Sequence, residues 1–222
     1  MQRYVLITAG GSGTRMQSDL PKQFLEIAGM PVLMQTFRAF FDFDPTLAFV
    51  LVLPENLWNF WEELCQKHNF RQPHQLAISG PTRFHSVKSG LRLVPDDALV
   101  AIHDGVRPLV SARVIEQVFY SAERFGNAIP VVKISDSLRL IDHALSQPLQ
   151  REMVRRVQTP QCFRAGLIKK AYNRNYSEDF TDDATLLEAD GHRLFLVEGD
   201  PENIKITTPA DLKIAEALLW KD

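Results

Sequence analysis

The sequence predicts an α/β fold built on a mainly parallel sheet, and three observations predict it. Tyr4–Thr8, Phe49–Leu53, Leu76–Ser79, Val100–His103 and Ala128–Val132 are near-continuous apolar runs, as strands are when both sheet faces are covered. Between them, Val32–Phe41, Leu57–His68, Phe84–Leu93 and Val114–Phe125 carry apolar residues at helical spacing. Strands that alternate with helices imply crossover connections and hence parallel pairing. Third, the runs at Tyr4–Thr8 and Val100–His103 both end in glycine-bearing turns. On such a sheet, ligands lie beyond the carboxyl ends of the strands, so these turns are where chemistry is expected.

The alternation breaks between Ser135 and Thr159. Ser137-Leu138-Arg139-Leu140-Ile141 and Met153-Val154-Arg155-Arg156-Val157 read as two short strands separated by a polar stretch containing Pro148. Together they predict a two-stranded arm, at about 135–159, projecting from a single domain spanning 1–222. A free two-stranded ribbon is marginal in water, so the arm is expected to pack on something, with a second subunit as the candidate. Beyond it the sequence predicts a helix near Ala165–Tyr172, a polar loop with Thr181-Asp182-Asp183, a helix through Leu187 and a strand at Leu194–Val197. A closing helix at Pro209–Trp220 starts from Thr208-Pro209-Ala210-Asp211, a cap followed by proline.

Composition narrows the function. The 222 residues are 45% hydrophobic and 23% charged with a formal net charge of −2, so no overall basic field exists to hold nucleic acid or an anionic membrane. No run approaches the roughly 18 apolar residues of a membrane span, and the short run after Met1 lacks the features of a signal peptide. Cys65 and Cys162 fit neither a zinc site nor a disulfide framework and read as reduced thiols. A cytoplasmic protein is expected.

The first turn reads Ala9-Gly10-Gly11-Ser12-Gly13-Thr14-Arg15-Met16. Closely spaced glycines let backbone N–H groups approach a polyphosphate without an obstructing Cβ. The Gly-Lys-Ser/Thr ending of a Walker loop is absent, and the dinucleotide fingerprint fits only loosely. Arg15 and Lys22, the latter behind Pro21, add fixed cations beside the glycines. Transfer of a nucleotidyl group builds negative charge on the α-phosphate and the departing pyrophosphate, and such cations stabilise it. On residue type alone, both are equally readable as solvated surface charges. At the second turn, Asp104 reads as a ribose acceptor, a magnesium ligand or a turn carboxylate bonding its own backbone. Arg107 reads as orienting that loop or facing a second substrate. Lys205, in Asn203-Ile204-Lys205-Ile206-Thr207, alternates with two isoleucines and reads as a fixed cationic post or as an exposed edge lysine. Arg83 reads as pairing with a nearby acid or capping its loop. The six histidines show no ligand spacing, and His103 reads as packed rather than catalytic.

Ala9 to Met16 with Pro21-Lys22-Gln23-Phe24 resembles the signature of the sugar- and polyol-phosphate nucleotidyltransferases. Within them the chain is most similar to the methylerythritol phosphate cytidylyltransferases of the non-mevalonate isoprenoid pathway. The resemblance continues through Gly80, Arg83 and Ser86, His103-Asp104-Gly105-Val106-Arg107-Pro108, Thr159-Pro160-Gln161, Thr181-Asp182-Asp183-Ala184, Val197-Glu198-Gly199, Asn203 to Thr207 and Pro209. It therefore covers nearly the whole chain. It implies a Rossmann-like three-layer fold with a dimerising β-arm, CTP and a polyol phosphate as substrates, and Mg²⁺ as cofactor. It places Ala9, Gly10, Gly11, Gly13, Gly80, Ser86, Asp104 and Gly105 around the nucleotide. Arg15, Lys22, Arg151 and Lys205 become the catalytic cations. Arg107, Ser137, Arg139, Arg151, Thr159, Thr181 and Asp182 become acceptor contacts, with the arm reaching across a homodimer. Arg155 and Arg156 lie near enough to Arg151 to share its assignment. Pro81 departs from the family pattern, which commonly has an acid there, and Ser137 and Arg139 stand where Thr and Lys are more frequent. A phosphate nucleophile is already anionic at neutral pH, so the implied reaction needs positioning and charge neutralisation rather than a base. Another polyol phosphate such as ribitol 5-phosphate is the nearest alternative acceptor. A non-catalytic nucleotide-binding module is the alternative of another class.

Overall fold

Residues on alternate sides of each central strand are buried, and this dictates the layering. In β1 (Arg3–Thr8), Val5 and Ile7 join one apolar cluster while Tyr4 and Leu6 join another. The same division recurs in β4 (Ala48–Leu53) and β6 (Leu99–Asp104), so helices must cover both faces. Fully burying each such aliphatic side chain contributes roughly 1.5–3 kcal/mol. The computed structural model describes residues 1–11, 20–143 and 145–220.

Before β4 lie β2 (Glu26–Ile27), β3 (Met30–Pro31) and α1 (Val32–Phe43); after it come α2 (Trp58–Lys67), β5 (Gln75–Ile78) and α3 (Arg83–Leu91). β6 is followed by α4 (Ala112–Phe125), β7 (Asn127–Lys133), β8 (Leu138–Asp142), β9 (Leu145–Leu149), β10 (Arg155–Val157) and β11 (Gln161–Arg164). The described chain ends with α5 (Ala165–Ala171), α6 (Asp183–Ala189), β12 (Leu196–Glu198) and α7 (Pro209–Leu219). The main sheet runs β10-β7-β11-β6-β1-β4-β5, with β12 also on β7. β5, β4, β1 and β6 pair parallel, as do β12 and β7, whereas β10 and β11 run antiparallel to their neighbours. α1, α2 and α4 supply side chains to one core cluster, and α3, α5 and α6 to the other. The result is the mainly parallel α/β architecture expected. α7 begins in a capping box, with the Thr208 hydroxyl taking the Asp211 N–H and the Asp211 carboxylate taking the Thr208 N–H at 2.7 Å.

The arm needs a correction. Leu138–Asp142 does pair in a two-stranded ribbon, but its partner is Leu145–Leu149 and not the run ending at Val157. Arg155–Val157 instead returns to the main sheet, antiparallel to Val131–Lys133. Leu145-Ser146-Gln147-Pro148-Leu149 gave no strand signal because it has no β-branched residue and includes a proline. Both strands of a two-stranded ribbon are edges, however, and an edge tolerates proline. Leu140, Ile141 and Leu145 on this ribbon are more than half exposed. β11 also carried no expectation. It follows Pro160 directly and fits between β6 and β7, with Cys162 buried and unpaired.

Candidate active site

The segments that follow β1 and β5 and the carboxyl end of β6 meet at one cavity of about 500 Å³. Its floor is the turn after β1. The Ala9 N–H donates to Val52 O at 2.9 Å, and the Gly105 N–H donates to Thr8 O at 2.9 Å, so the parallel ladder extends into both turns. Buried Gln23 donates through Nε2 to Ala9 O at 2.8 Å, tying the Lys22–Phe24 turn to the same floor. A Cβ on Gly10 would lie 2.8 Å from Ser79 Cβ, so this glycine is required by close approach, while Gly11 opens onto space. The opposite wall is the start of α3. There the Gly80 N–H donates to Ser86 Oγ at 3.1 Å, and a Cβ on Gly80 would come within 2.3 Å of His85 Cβ. Pro81 also lines the cavity, so this wall offers neither a carboxylate nor an N–H at that position. Arg15 and Gly13 lie outside the described residues.

Charge in the cavity is organised around Asp104. Its Oδ2 lies 3.0 Å from Lys205 Nζ and 3.1 Å from Arg107 Nε, and Oδ1 lies 3.7 Å from Arg83 Nε. Burial opposes the carboxylate charge, yet Lys205, Arg83 and Arg107 together outweigh it and hold Asp104 well below the usual carboxylate range. Arg83 in turn donates to Asp183 Oδ2 at 2.6 Å. Burial also opposes the guanidinium charge, and Asp183 and Asp104 more than offset that. From the other side, Lys22 Nζ donates to Ile206 O at 3.0 Å, next to Lys205 in the chain. Lys22 and Lys205 thus meet at the same rim.

His103 orders the second turn from beneath. Its Nε2 faces Arg107 O at 3.0 Å, and a carbonyl only accepts, so Nε2 carries the proton. Nδ1 then accepts from Thr159 Oγ1 at 3.0 Å, and that hydroxyl accepts from the Asp104 N–H at 3.1 Å. Burial pushes the imidazole down to about 4 from an ordinary 6.5, keeping it neutral. As pH falls below 6.5 the unfolded chain takes up the proton first, so stability is lost between pH 6.5 and about 4. At 1.36 kcal/mol per unit this amounts to about 3 kcal/mol. Urea melts at pH 7 and pH 4 should show that slope in the native protein, and it should be absent from His103→Asn; equal slopes would remove His103 from the account.

Several expected contacts lie elsewhere. Arg107 spends Nη1 on Asn203 O at 2.8 Å, and Thr159 is buried with its hydroxyl committed as above, so neither side chain lines the cavity. Asp182 caps α6, accepting from the Thr185 N–H at 2.8 Å and from Gln161 Nε2 at 2.8 Å, while Thr181 is exposed beside it. Ser137 and Arg139 are exposed on the arm, where Arg139 bonds Ser146. Arg151 donates to Ser135 O at 2.8 Å and pairs with Glu152 at 3.2 Å. Asp183 and Tyr172 carried no expectation of their own. Asp183 is fully buried and takes Arg83 on one oxygen and the Tyr172 hydroxyl, at 2.6 Å, on the other.

The only carboxylate lining the cavity among the described residues is Asp104, and no cluster of three or more potential ligands exists among them. Mg²⁺ ordinarily keeps waters and binds through one or two carboxylates plus substrate phosphates. Asp104 Oδ1, with its single longer ion pair, fits that modest demand. No helix among the described residues is long and apolar enough to cross a membrane.

A glycine floor and a ring of cations beyond the carboxyl ends of a Rossmann-like sheet define a nucleotidyltransferase. The chain belongs to the 2-C-methyl-D-erythritol 4-phosphate cytidylyltransferase family, whose model matches residues 4–221. It is 50% identical to the enzyme of that name from Bacteroides thetaiotaomicron over 219 residues, covering 99% of this chain and 100% of the relative. The Bacteroides fragilis protein of the same name is 51% identical, with the same coverage. Among solved structures, the 4-diphosphocytidyl-2C-methyl-D-erythritol synthase of Anaerococcus prevotii superposes with a TM-score of 0.83 at 27% identity, covering 98% of this chain and 96% of the other.

Proposed function

We infer that this chain transfers the cytidylyl group of CTP to 2-C-methyl-D-erythritol 4-phosphate, giving 4-diphosphocytidyl-2-C-methyl-D-erythritol and pyrophosphate. The observation that carries the reading is the convergence of Lys22 and Lys205 at one rim of a glycine-floored cavity. An oxygen of the acceptor phosphate attacks the α-phosphorus, and a new P–O bond forms. The bond to the bridging oxygen breaks and its electron pair leaves with pyrophosphate. No proton need move, so the protein's contribution is alignment and charge. Gly10 and Gly11 admit the triphosphate, Gly80 and Ser86 hold the cytosine side, and Lys22 with Arg15 meets charge growing on the phosphates. Lys205, aimed by Asp104, orients the acceptor phosphate, and Arg107 and Thr159 serve the acceptor side by holding the Asp104 loop. Mg²⁺, held by triphosphate oxygens and Asp104, would supply further charge neutralisation when bound.

The arm is read as completing the neighbouring site in a homodimer. Supporting this, Ser137, Arg139 and Arg151 do not line the cavity of their own chain, and the ribbon exposes Leu140, Ile141 and Leu145. Sedimentation at micromolar concentration should give twice the chain mass; a monomer would overturn the dimer. For the reaction, pyrophosphate release is measured with each of four nucleoside triphosphates against methylerythritol 4-phosphate and ribitol 5-phosphate. Release is expected with CTP and the methylerythritol substrate. Equal efficiency with ribitol phosphate would overturn the acceptor, and no release from any pair would overturn transfer altogether.

A further inference from the structure

The segment 180–183 is fastened at both ends to the first turn of α3. At one end Asp183, fully buried, takes Arg83 at 2.6 Å. At the other, Phe180 stacks on Phe84 with ring centroids 6.1 Å apart and planes 23° apart. Phe84 also packs against Tyr172 at 4.9 Å, and Tyr172 holds the second Asp183 oxygen. Between these two anchors sit Thr181 and Asp182. Arg83 itself lines the nucleotide cavity and is shared with Asp104. Of the three cations on Asp104, it alone also bonds this segment; Arg107 turns to Asn203 instead.

We propose that the Arg83–Asp183 pair is a positioning device that couples an occupied nucleotide cavity to the acceptor-side loop at Thr181-Asp182. The inference rests on the proposed function, with Thr181 and Asp182 taken as the polyol contacts that the family resemblance implies. A triphosphate entering the cavity rearranges the cations around Asp104. Whatever position Arg83 then takes is passed to Asp183, because a buried carboxylate follows its partner rather than stand uncompensated. The Phe84–Phe180 contact makes the whole segment follow and not one side chain alone. The consequence is thermodynamic: nucleotide and acceptor should bind with positive coupling, which such a link commonly makes about five- to a hundredfold.

The test measures acceptor binding without turnover. Calorimetry gives the Kd of methylerythritol 4-phosphate for the full chain, with and without a saturating CTP analogue whose α,β-bridging oxygen is a methylene. The native protein should bind the acceptor about tenfold more tightly with the analogue present. Asp183→Asn should bring that gain to within twofold while leaving the analogue's own affinity within threefold. Arg83→Lys, which keeps the charge but shortens the reach, should lower the gain at least threefold. It decides the matter if Asp183→Asn does not fold. Tyr172→Phe should lower the melting temperature yet keep the gain, which separates coupling from plain stability. Full gain in Asp183→Asn or Arg83→Lys, or no gain in the native protein, overturns the inference. Native protein that releases no pyrophosphate from CTP and the acceptor sinks the functional reading instead.

Discussion

Lys22→Ala should leave a folded protein that releases pyrophosphate about a hundred to a thousand times more slowly. The backbone that presents Lys22 is held by other groups. Gln23 bonds the Ala9 carbonyl, and buried Phe24 meets Phe60 edge-on at 5.1 Å and lies beside Trp61. The side chain itself donates to the Ile206 carbonyl at 3.0 Å, at a half-buried rim, among its contacts in the resting fold. Losing it should cost no more than about 1 kcal/mol of stability. In the proposed reaction, however, its charge faces the phosphate oxygens that gain charge, and removing one such donor typically costs two to three orders of magnitude in rate. Single-turnover rates at saturating CTP, with a thermal melt beside them, check both halves. A rate within tenfold of the native protein would take Lys22 out of the transition state.

That split between a rigid turn and a reactive side chain is local, and local features were the legible ones. Both-face burial of Val5, Leu6 and Ile7 follows from an unbroken apolar run, and the Thr208–Asp211 box follows from four adjacent residues. β9 was not legible because its residues carry no strand preference; it forms because β8 offers a ladder across a tight turn at His143, which has a φ of +49°. In the site, Asp104 and Lys205 were each placed by their own motifs, but nothing in either motif says that they bond each other. Asp183 shows the same limit. Thr181-Asp182-Asp183 reads as a polar loop ahead of a helix, and only the fold decides that Asp182 caps that helix while Asp183 is buried against Arg83. Long-range pairing of charges depends on topology, and the sequence carries no periodic signal for it.

Asp104→Asn should be the most damaging single change in the cavity, because it removes the anion that three cations share. Breaking a buried pair by deleting one partner costs about 3–5 kcal/mol. Two of the three partners soften that here: Arg83 keeps Asp183, and Lys205, 44% exposed, can turn to water. Arg107, only 11% exposed, has no such exit, so about 3 kcal/mol is expected, a drop of roughly 6–12 °C in Tm for a chain of this size. Turnover should fall at least about a hundredfold, since Lys205 loses the group that aims it. The pH dependence separates this residue from His103. A carboxylate held below its ordinary 3.8 contributes stability above that pH and loses it as pH falls toward the folded value. The amide that replaces the carboxylate has nothing to titrate, so native and variant stabilities should run parallel from pH 6.5 to 4, where His103 governs both. They should then converge below 3.8. Convergence already complete at about pH 5 would mean that the shared anion is not Asp104.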